Sequence, residues 1–174
     1  MHGFYWLIEG ELAGCPCPGR VGLRGPDTAW SARGGNGIGA GAAGLDDDLA
    51  WLREQGIAAL LTLTEEPLPA DALARNGLES LHIPVMDMSA PTPRQFEEAL
   101  AFVDRMRAAG RVVAVHCLMG QGRTATILAA YLIRAGASAE EAVARVRAVC
   151  PNAICAPVQE DALRAFTQRK DWIV

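Results

Sequence analysis

Long hydrophobic runs and clusters of basic residues are both missing from this 174-residue sequence. No apolar segment reaches the roughly 20 residues that a helix needs to cross a bilayer, so we expect no membrane span. Lysine and arginine number 16 against 20 aspartates and glutamates, which gives a net charge of −4. This balance argues against nucleic acid or an acidic membrane surface as the main partner.

Histidine is scarce, and the cysteines do not form a recognisable metal-binding pattern. Cys15 and Cys17 are separated by one residue, and only three histidines exist to complete a ligand set. Because structural zinc sites use four ligands with wider cysteine spacing, we predict no metal site, and we predict no cofactor. The first six residues lack the basic and apolar regions of a secretory signal. We therefore expect a cytoplasmic protein whose five cysteines need not pair.

Strand-like and helix-like segments alternate along the chain, which predicts an α/β fold with a central, mostly parallel sheet flanked by helices. We expect one domain, residues 1–174, with a Gly/Pro-rich loop inserted at 15–44. The expected strands are 4–8, 11–14, 57–63, 78–83 and 112–116, of which the first two form a hairpin at a sheet edge. The expected helices are 45–55, 93–109, 123–135, 139–149 and 158–168.

Several helix starts carry local signals. Thr92–Gln95 and Ser138–Glu141 have the form of capping boxes, and Asp46–Asp48 are expected in the first turn of the first helix. Within the Gly-rich stretch 33–44, Gly39–Gly44 matches the dinucleotide pattern G-x-G-x-x-G. Because no strand precedes it, we interpret this stretch as a mobile loop rather than a nucleotide site.

One turn between a strand and a helix combines residue types that suit phosphate chemistry. The segment VVAVHCLMGQGRTA, residues 112–125, ends a buried strand before Cys117 and enters a helix at Arg123. Gly120 and Gly122 let the backbone turn its N–H groups toward one point, beside the positive end of that helix. Such a site binds an oxyanion, and the same donors stabilise a thiolate. The alternative is a buried structural cysteine, a common place for free Cys.

The polar neighbours of Cys117 have expected roles of their own. Arg123 can hold two phosphate oxygens through its planar guanidinium, which a lysine could not do. We expect Thr124 to donate its hydroxyl to the sulfur, and His116 to hold the loop by hydrogen bonds to backbone carbonyls. The phosphate group itself is expected to contact Leu118, Met119, Gly120, Gln121, Gly122 and Arg123.

The same turn resembles a known signature. His116–Thr124 fits the pattern His-Cys-x-x-Gly-x-Gly-Arg-Thr of the cysteine-dependent protein tyrosine phosphatases, and the chain is most similar to the small atypical dual-specificity phosphatases and their compact prokaryotic relatives. Four more segments resemble the family in the same order: FYWLIEGELAG, LTLTEEPLP, LHIPVMDMSAPTPRQF and CPNAICAPVQEDALRAF. The resemblance implies a protein tyrosine phosphatase-like fold. It departs from the family near the end, where Asn152 and Ala153 replace a more typical Gly-Ser.

Asp87 is the candidate general acid. A thiolate that attacks phosphorus expels an oxygen that leaves readily only when protonated, so a carboxylic acid must reach the turn from another segment. Asp87 follows the strand at 78–83 in a loop that contains Pro84 and Pro91. The resemblance also places the family's general acid there. The alternative is a solvated loop aspartate.

Two further segments offer supporting residues. Glu65 and Glu66 follow another strand end, and the resemblance implies that an acidic residue there helps to position the active site. We assign Glu65 to the support of Arg123; the alternative is a solvated or helix-capping pair of glutamates. Gln159 is either a residue that positions water or an exposed helix residue.

Together these residues predict a metal-independent phosphomonoesterase that hydrolyses phosphotyrosine in proteins, with phosphoserine and phosphothreonine as further options, through a phosphocysteine intermediate. The second interpretation is a phosphoinositide or inositol phosphate phosphatase. Leu118, Met119 and Gln121 argue against it, because they are uncharged where such enzymes tend to carry basic residues. The third is a phosphate-binding or redox-sensing module without turnover. We expect phosphorylated proteins or peptides as partners, phosphate and vanadate as inhibitors, and a monomer.

Overall fold

A five-stranded sheet forms the centre of the computed structural model, which describes residues 1–19 and 42–168. The strands lie in the order β1-β2-β5-β3-β4; β1 pairs antiparallel with β2, and all other pairs are parallel. The strands are β1 Tyr5–Ile8, β2 Leu12–Cys15, β3 Ile57–Thr62, β4 Glu79–His82 and β5 Val112–His116. The helices are α1 Ala42–Glu54, α2 Ala70–Arg75, α3 Pro93–Ala108, α4 Arg123–Arg134, α5 Ala139–Val149 and α6 Pro157–Thr167. This mostly parallel α/β architecture confirms the predicted fold class.

The sheet is buried on both faces, because successive side chains of its central strands alternate between two hydrophobic clusters. In β5, Val113 and Val115 pack with residues of α3, α4, α5 and α6, whereas Ala114 packs with residues of α1 and α2. Strands covered on both faces are apolar at nearly every position, which is why 112–115 is a continuous apolar run. The central strand β5 therefore delivers His116 and Cys117 to the carboxyl edge of the sheet, where ligands bind in folds of this kind.

The local signals for two helix starts are confirmed. Thr92 and Ser138 each accept a hydrogen bond from the backbone three residues on, and Gln95 and Glu141 bond back to the N-cap backbone. The first of these boxes also fixes the loop before α3, because the Gln95 amide donates to the Pro84 carbonyl at 2.7 Å.

Three details of the sequence prediction are wrong. The short helix α2, Ala70–Arg75, was not foreseen; it follows Pro69, whose side chain makes no cap. Helix α1 begins at Ala42 rather than Leu45, so Asp46–Asp48 lie beyond its first turn. Strand β2 continues through Cys15, where the long loop was expected to begin. Residues 20–41 of the expected Gly/Pro-rich loop, 15–44, lie outside the described residues.

Candidate active site

The loop that follows β5 lies directly against the end of β2. It runs from Cys117 to Gly122, where α4 begins. Gly120 has φ +74°, and a Cβ at this position would approach the carbonyl carbon of Cys15 to 2.6 Å. Because only glycine combines this backbone angle with so little space, the close approach of loop and strand depends on Gly120.

Three carbonyl groups of the loop point outward and are held by the surrounding structure. Leu118 C=O accepts from the Cys17 N–H at 3.2 Å, Gly120 C=O from the Tyr5 hydroxyl at 2.8 Å, and Gln121 C=O from the Ile154 N–H at 2.9 Å. A trans peptide directs the next N–H away from the carbonyl. The N–H groups of residues 119, 121 and 122 therefore point away from these outer partners, which is the arrangement of an anion-binding nest.

Arg123 is buried with 1% of its surface exposed, and its guanidinium reaches across to the ends of β3 and β4. Nη1 donates to the Val85 carbonyl at 2.7 Å and to Glu65 Oε2 at 3.0 Å, and Nη2 donates to Asp87 Oδ1 at 2.9 Å. Desolvating a guanidinium is costly unless it is paired. Here two carboxylates balance its charge, and one of them belongs to the candidate general acid.

Glu65 links Arg123 to the loop that carries Asp87. Besides Arg123, its carboxylate accepts the backbone N–H of Asp87 at 2.8 Å. Partial burial raises the pKa of Glu65, but hydrogen bonds from its own backbone, from Arg123 and from the Asp87 N–H outweigh this and leave the pKa below its usual range. Glu65 is therefore ionised near neutral pH, which suits a supporting carboxylate and not a proton donor.

Glu66 and Asp87 differ sharply in what they contact. Asp87 has 58% of its side chain exposed and yet pairs with the buried Arg123, so it lies at the open side of the site. Within the described residues, the Glu66 side chain makes no hydrogen bond or ion pair; only its carbonyl is used, as acceptor for Thr64 Oγ1 at 2.7 Å. The structure thus brings Asp87 and Glu65 to Arg123 and leaves Glu66 outside.

His116 lies beneath the loop as a fully buried side chain. One ring nitrogen, Nε2, is 2.8 Å from Thr62 Oγ1, and Nδ1 is 3.4 Å from the Cys117 carbonyl. Both contacts are satisfied when Nδ1–H donates to the carbonyl and Nε2 accepts the Thr62 hydroxyl. Burial lowers the pKa of His116 to about 4, only partly offset by the bond to Cys117, so the ring is neutral at pH 7. His116 ties the base of the loop to β3.

Thr124 and Gln159 are both fully buried. The Thr124 hydroxyl has no hydrogen-bond partner among the described residues, so its expected bond to the Cys117 sulfur is not made here and stays a prediction. Gln159 Nε2 donates to the Ser89 carbonyl at 3.0 Å, and a Cβ on Gly122 would approach that nitrogen to 3.0 Å. Gln159 therefore connects α6, the Asp87 loop and the Cys117 loop, and the interpretation as an exposed helix residue is wrong.

The remaining loop residues differ in exposure. Cys117 is 2% exposed, at the base of the turn, whereas Met119 is 44% exposed; Leu118 and Gln121 lie between these extremes. Asn152 and Ala153 do not interrupt the bracing of the loop, because the neighbouring Ile154 N–H supplies the contact to Gln121.

Sequence reasoning missed several groups that shape the site. The Tyr5 hydroxyl holds Gly120 from 115 positions away, and burial raises the pKa of Tyr5 and of the adjacent Cys15 thiol well above their usual ranges. The carbonyls of Val85 and Ser89 bind Arg123 and Gln159. Every residue has a backbone carbonyl, so the sequence does not show which carbonyls take part in the site. Tyr5 shows only that it belongs to an edge strand.

Neither a metal-binding cluster nor a membrane-spanning helix is found in the part of the chain that the structure describes. All five cysteines lie in that part, and they form no disulfide. Arg123 and Asp87 pair at the carboxyl edge of the sheet, to which β5 also delivers Cys117.

Comparison with known proteins gives matches of sequence and of fold. A family described as a polymorphic toxin system DSP-PTPase phosphatase matches residues 34–137. Dual specificity protein phosphatase 12 of Rattus norvegicus is 33% identical over 107 residues, which are 61% of this chain and 31% of that protein. Phosphatidylglycerophosphatase and protein-tyrosine phosphatase 1 of Homo sapiens is 35% identical over 94 residues, which are 53% of this chain and 47% of that protein. The chain spans about a third of the length of the first curated relatives it matches.

Two solved structures illustrate the similarity of fold. The crystal structure of Tk-PTP in the active form matches with a TM-score of 0.67 at 30% identity, over 71% of this chain and 86% of that one. The crystal structure of PTPMT1 matches with a TM-score of 0.70 at 22% identity, over 94% of each chain. At that lower identity the second match supports the fold alone.

Proposed function

The chain belongs to the DSP-PTPase phosphatase family, as a small atypical dual-specificity phosphatase-like member of the cysteine-based protein tyrosine phosphatases, and on this premise we propose that it hydrolyses phosphotyrosine in proteins. Phosphoserine and phosphothreonine are secondary substrates in this proposal. The observation that carries it is that Arg123, which follows the Cys117 loop directly, pairs at 2.9 Å with Asp87 from a separate loop. A structural cysteine would not require the other two.

In the first step, the Cys117 thiolate attacks phosphorus and the bond to the ester oxygen breaks. The loop N–H groups and Arg123 hold the other three phosphate oxygens as their charge spreads in the transition state. Asp87 gives its proton to the departing oxygen, so that a neutral phenol or alcohol leaves and the phosphate stays on sulfur as a phosphocysteine.

In the second step, water replaces the sulfur. Asp87, now a carboxylate, removes a proton from the water as it attacks phosphorus, and the Cys117 thiolate departs with the electron pair of its bond. Gln159, buried between the Cys117 loop and the Asp87 loop, is the amide in place to orient that water. The products are inorganic phosphate and the original thiolate with protonated Asp87.

Substrate binding changes the partner of Arg123. In the structure the Asp87 carboxylate occupies Nη2, the position that a phosphate oxygen takes in this mechanism. An incoming phosphate displaces Asp87 from the arginine and frees its carboxyl group for the departing oxygen. Glu65 keeps its bond to the Asp87 N–H, so the acid remains beside the site when its side chain moves.

A phospholipid or inositol phosphate is the second candidate substrate. It is favoured by the similarity to phosphatidylglycerophosphatase and protein-tyrosine phosphatase 1. The uncharged Leu118, Met119 and Gln121 in the phosphate-binding turn favour the protein substrate, because additional phosphates require additional cations.

Other features are part of the proposal. We assign the whole chain, 1–174, to one phosphatase domain that acts as a monomer in the cytoplasm, with phosphate and vanadate as competitive inhibitors and no metal or cofactor.

A panel of p-nitrophenyl phosphate, phosphotyrosine, phosphothreonine and inositol phosphate compounds tests the activity by phosphate release. Hydrolysis led by phosphotyrosine supports the proposal, and no turnover of any compound refutes it.

A further inference from the structure

Exposed large hydrophobic side chains gather around the proposed active site. In the described part of the chain five such residues are exposed: Met86 at 75%, Met88 at 56%, Val158 at 48%, Met119 at 44% and Val149 at 41%. Val149 ends α5, whereas the other four adjoin residues of the site. Because exposed large apolar side chains are unfavourable in water, a cluster of them marks a surface that another molecule covers.

The four side chains are placed by contacts already described. Met86 and Met88 flank Asp87, whose carboxylate is 2.9 Å from Arg123. Met88 has φ +58°, an angle that methionine rarely adopts. Its backbone is thus held in a costly conformation in a loop where both methionines remain outside the core.

Met119 and Val158 come from two other segments. Met119 lies in the Cys117 loop itself. Val158 precedes Gln159, whose amide contacts Ser89 of the Asp87 loop and packs on Gly122. We call Met86, Met88, Met119 and Val158 the apolar rim, because they are carried by the Asp87 loop, the Cys117 loop and the start of α6, which meet at Gln159.

The charges beside the apolar rim select among its occupants. Residues 65–66, 84–90 and 117–122 carry the carboxylates of Glu65, Glu66 and Asp87, and no lysine, arginine or histidine. An anionic membrane surface or a substrate with several phosphates needs cations at this place. A peptide with apolar residues next to its phosphate fits an uncharged or negative surface better.

We propose that the apolar rim binds the hydrophobic side chains that flank phosphotyrosine in a protein substrate, so that the enzyme prefers sites with apolar neighbours and rejects acidic ones. This inference rests on the proposed phosphatase function and names its substrate class. Methionine suits the role because its flexible thioether adapts to different side chains and makes favourable contacts with aromatic rings. The phosphotyrosine ring itself gains such contacts, which a phosphoserine cannot.

The test uses three phosphotyrosine peptides that differ only in the residues on either side of phosphotyrosine, which are leucine, alanine or glutamate. We expect kcat/KM to decrease in that order, with about a tenfold difference between the leucine and alanine peptides, the scale of partly burying one or two apolar side chains. In the double variant Met86→Gln/Val158→Gln the leucine-to-alanine ratio should fall to about one. Val149→Gln, which changes another exposed apolar residue that is carried by α5 and not by a segment of the apolar rim, should keep the wild-type ratio.

Each other outcome overturns a defined part of the proposal. The apolar rim is refuted if kcat/KM is equal for the three peptides, or if Val149→Gln loses the leucine-to-alanine ratio as fully as the double variant does. In either case, turnover of p-nitrophenyl phosphate would still support the phosphatase function. If a short-chain phosphatidylglycerophosphate is hydrolysed faster than the leucine peptide, the proposed peptide substrate is wrong and the apolar rim binds a lipid. No turnover of p-nitrophenyl phosphate or of any peptide refutes the proposed function and the rim with it.

Discussion

Replacing Glu65 with glutamine isolates the contact that joins Arg123 to the Asp87 loop. Both partners of the Glu65 carboxylate are donors: the Asp87 N–H at 2.8 Å and Arg123 Nη1 at 3.0 Å. A glutamine amide keeps one acceptor oxygen, but its NH₂ group then faces the other donor. One of the two hydrogen bonds is therefore lost, together with the charge that balances the buried guanidinium.

The size of the effect follows from the exposure of the carboxylate. A hydrogen bond to a charged group contributes about 1.5–3 kcal/mol when it is buried. The Glu65 side chain is 53% exposed, which reduces this toward the range of surface ion pairs, about 1 kcal/mol. We therefore expect kcat on phosphotyrosine to fall by about fivefold, since about 1.4 kcal/mol corresponds to a factor of ten.

Steady-state kinetics over pH provide the assay, and Glu66→Gln is the matched control. Glu66 carries the same charge one residue away, but its side chain makes no hydrogen bond or ion pair with any described residue, so its variant should retain nearly the full rate. Hydrogen bonds hold the pKa of Glu65 below its usual range. The contribution of the ionised Glu65 carboxylate to the rate is therefore complete above about pH 4.3, and it is lost only as the pH falls through the lowered pKa. General acid catalysis gives a pH–rate profile that falls on its alkaline side. This alkaline limb should be unchanged in Glu65→Gln. Equal losses in the two variants, or a missing alkaline limb in Glu65→Gln, would refute the reasoning.

Three further predictions concern the other polar groups of the site. Arg123→Lys removes the two-point grip, so we expect kcat to fall by at least about two orders of magnitude; a change in KM alone would mean that Arg123 only binds substrate. Asp87→Asn should slow phosphotyrosine hydrolysis more than hydrolysis of an aryl phosphate with an acidic phenol, and should flatten the alkaline limb; equal slowing of both substrates argues for another acid. Burial lowers the pKa of His116 to about 4, so the unfolded chain binds a proton first and the free energy of unfolding should decrease from about pH 6.5 to 4. In urea titrations His116→Asn should show a weaker decrease over that range, and an unchanged slope would contradict the assignment.

The fold was predictable where the signal lies in the chain's own periodicity. Apolar runs such as 112–115 indicate strands covered on both faces, and the boxes at Thr92 and Ser138 mark helix starts whose contacts are local. Helix α2 has only six residues and no side-chain cap, so its formation depends on the packing of Ala72 and Leu73 against the sheet. No pattern within the segment itself reports such packing.

The site was predictable in its residue types and less so in its contacts. Cys117, Arg123 and Asp87 can be proposed from the sequence because phosphoryl transfer to sulfur needs a nucleophile, a cation and an acid. That Asp87 and Glu65 both bind Arg123, that Tyr5 holds Gly120, and that Gln159 is buried against Gly122 are consequences of tertiary packing between distant segments. Such pairings need the assembled sheet to bring the segments together.

Trapping the covalent intermediate tests the central claim most directly. The Asp87→Asn variant is mixed with an aryl phosphate whose phenol is acidic, so that the first step proceeds while hydrolysis of the intermediate is slowed by the missing base. Acid quenching followed by peptide mass spectrometry should then find a phosphate adduct on the peptide that contains Cys117. The double variant Asp87→Asn/Cys117→Ser should give no such adduct. An adduct on another residue, or steady phosphate release by Cys117→Ser at the wild-type rate, would contradict the account.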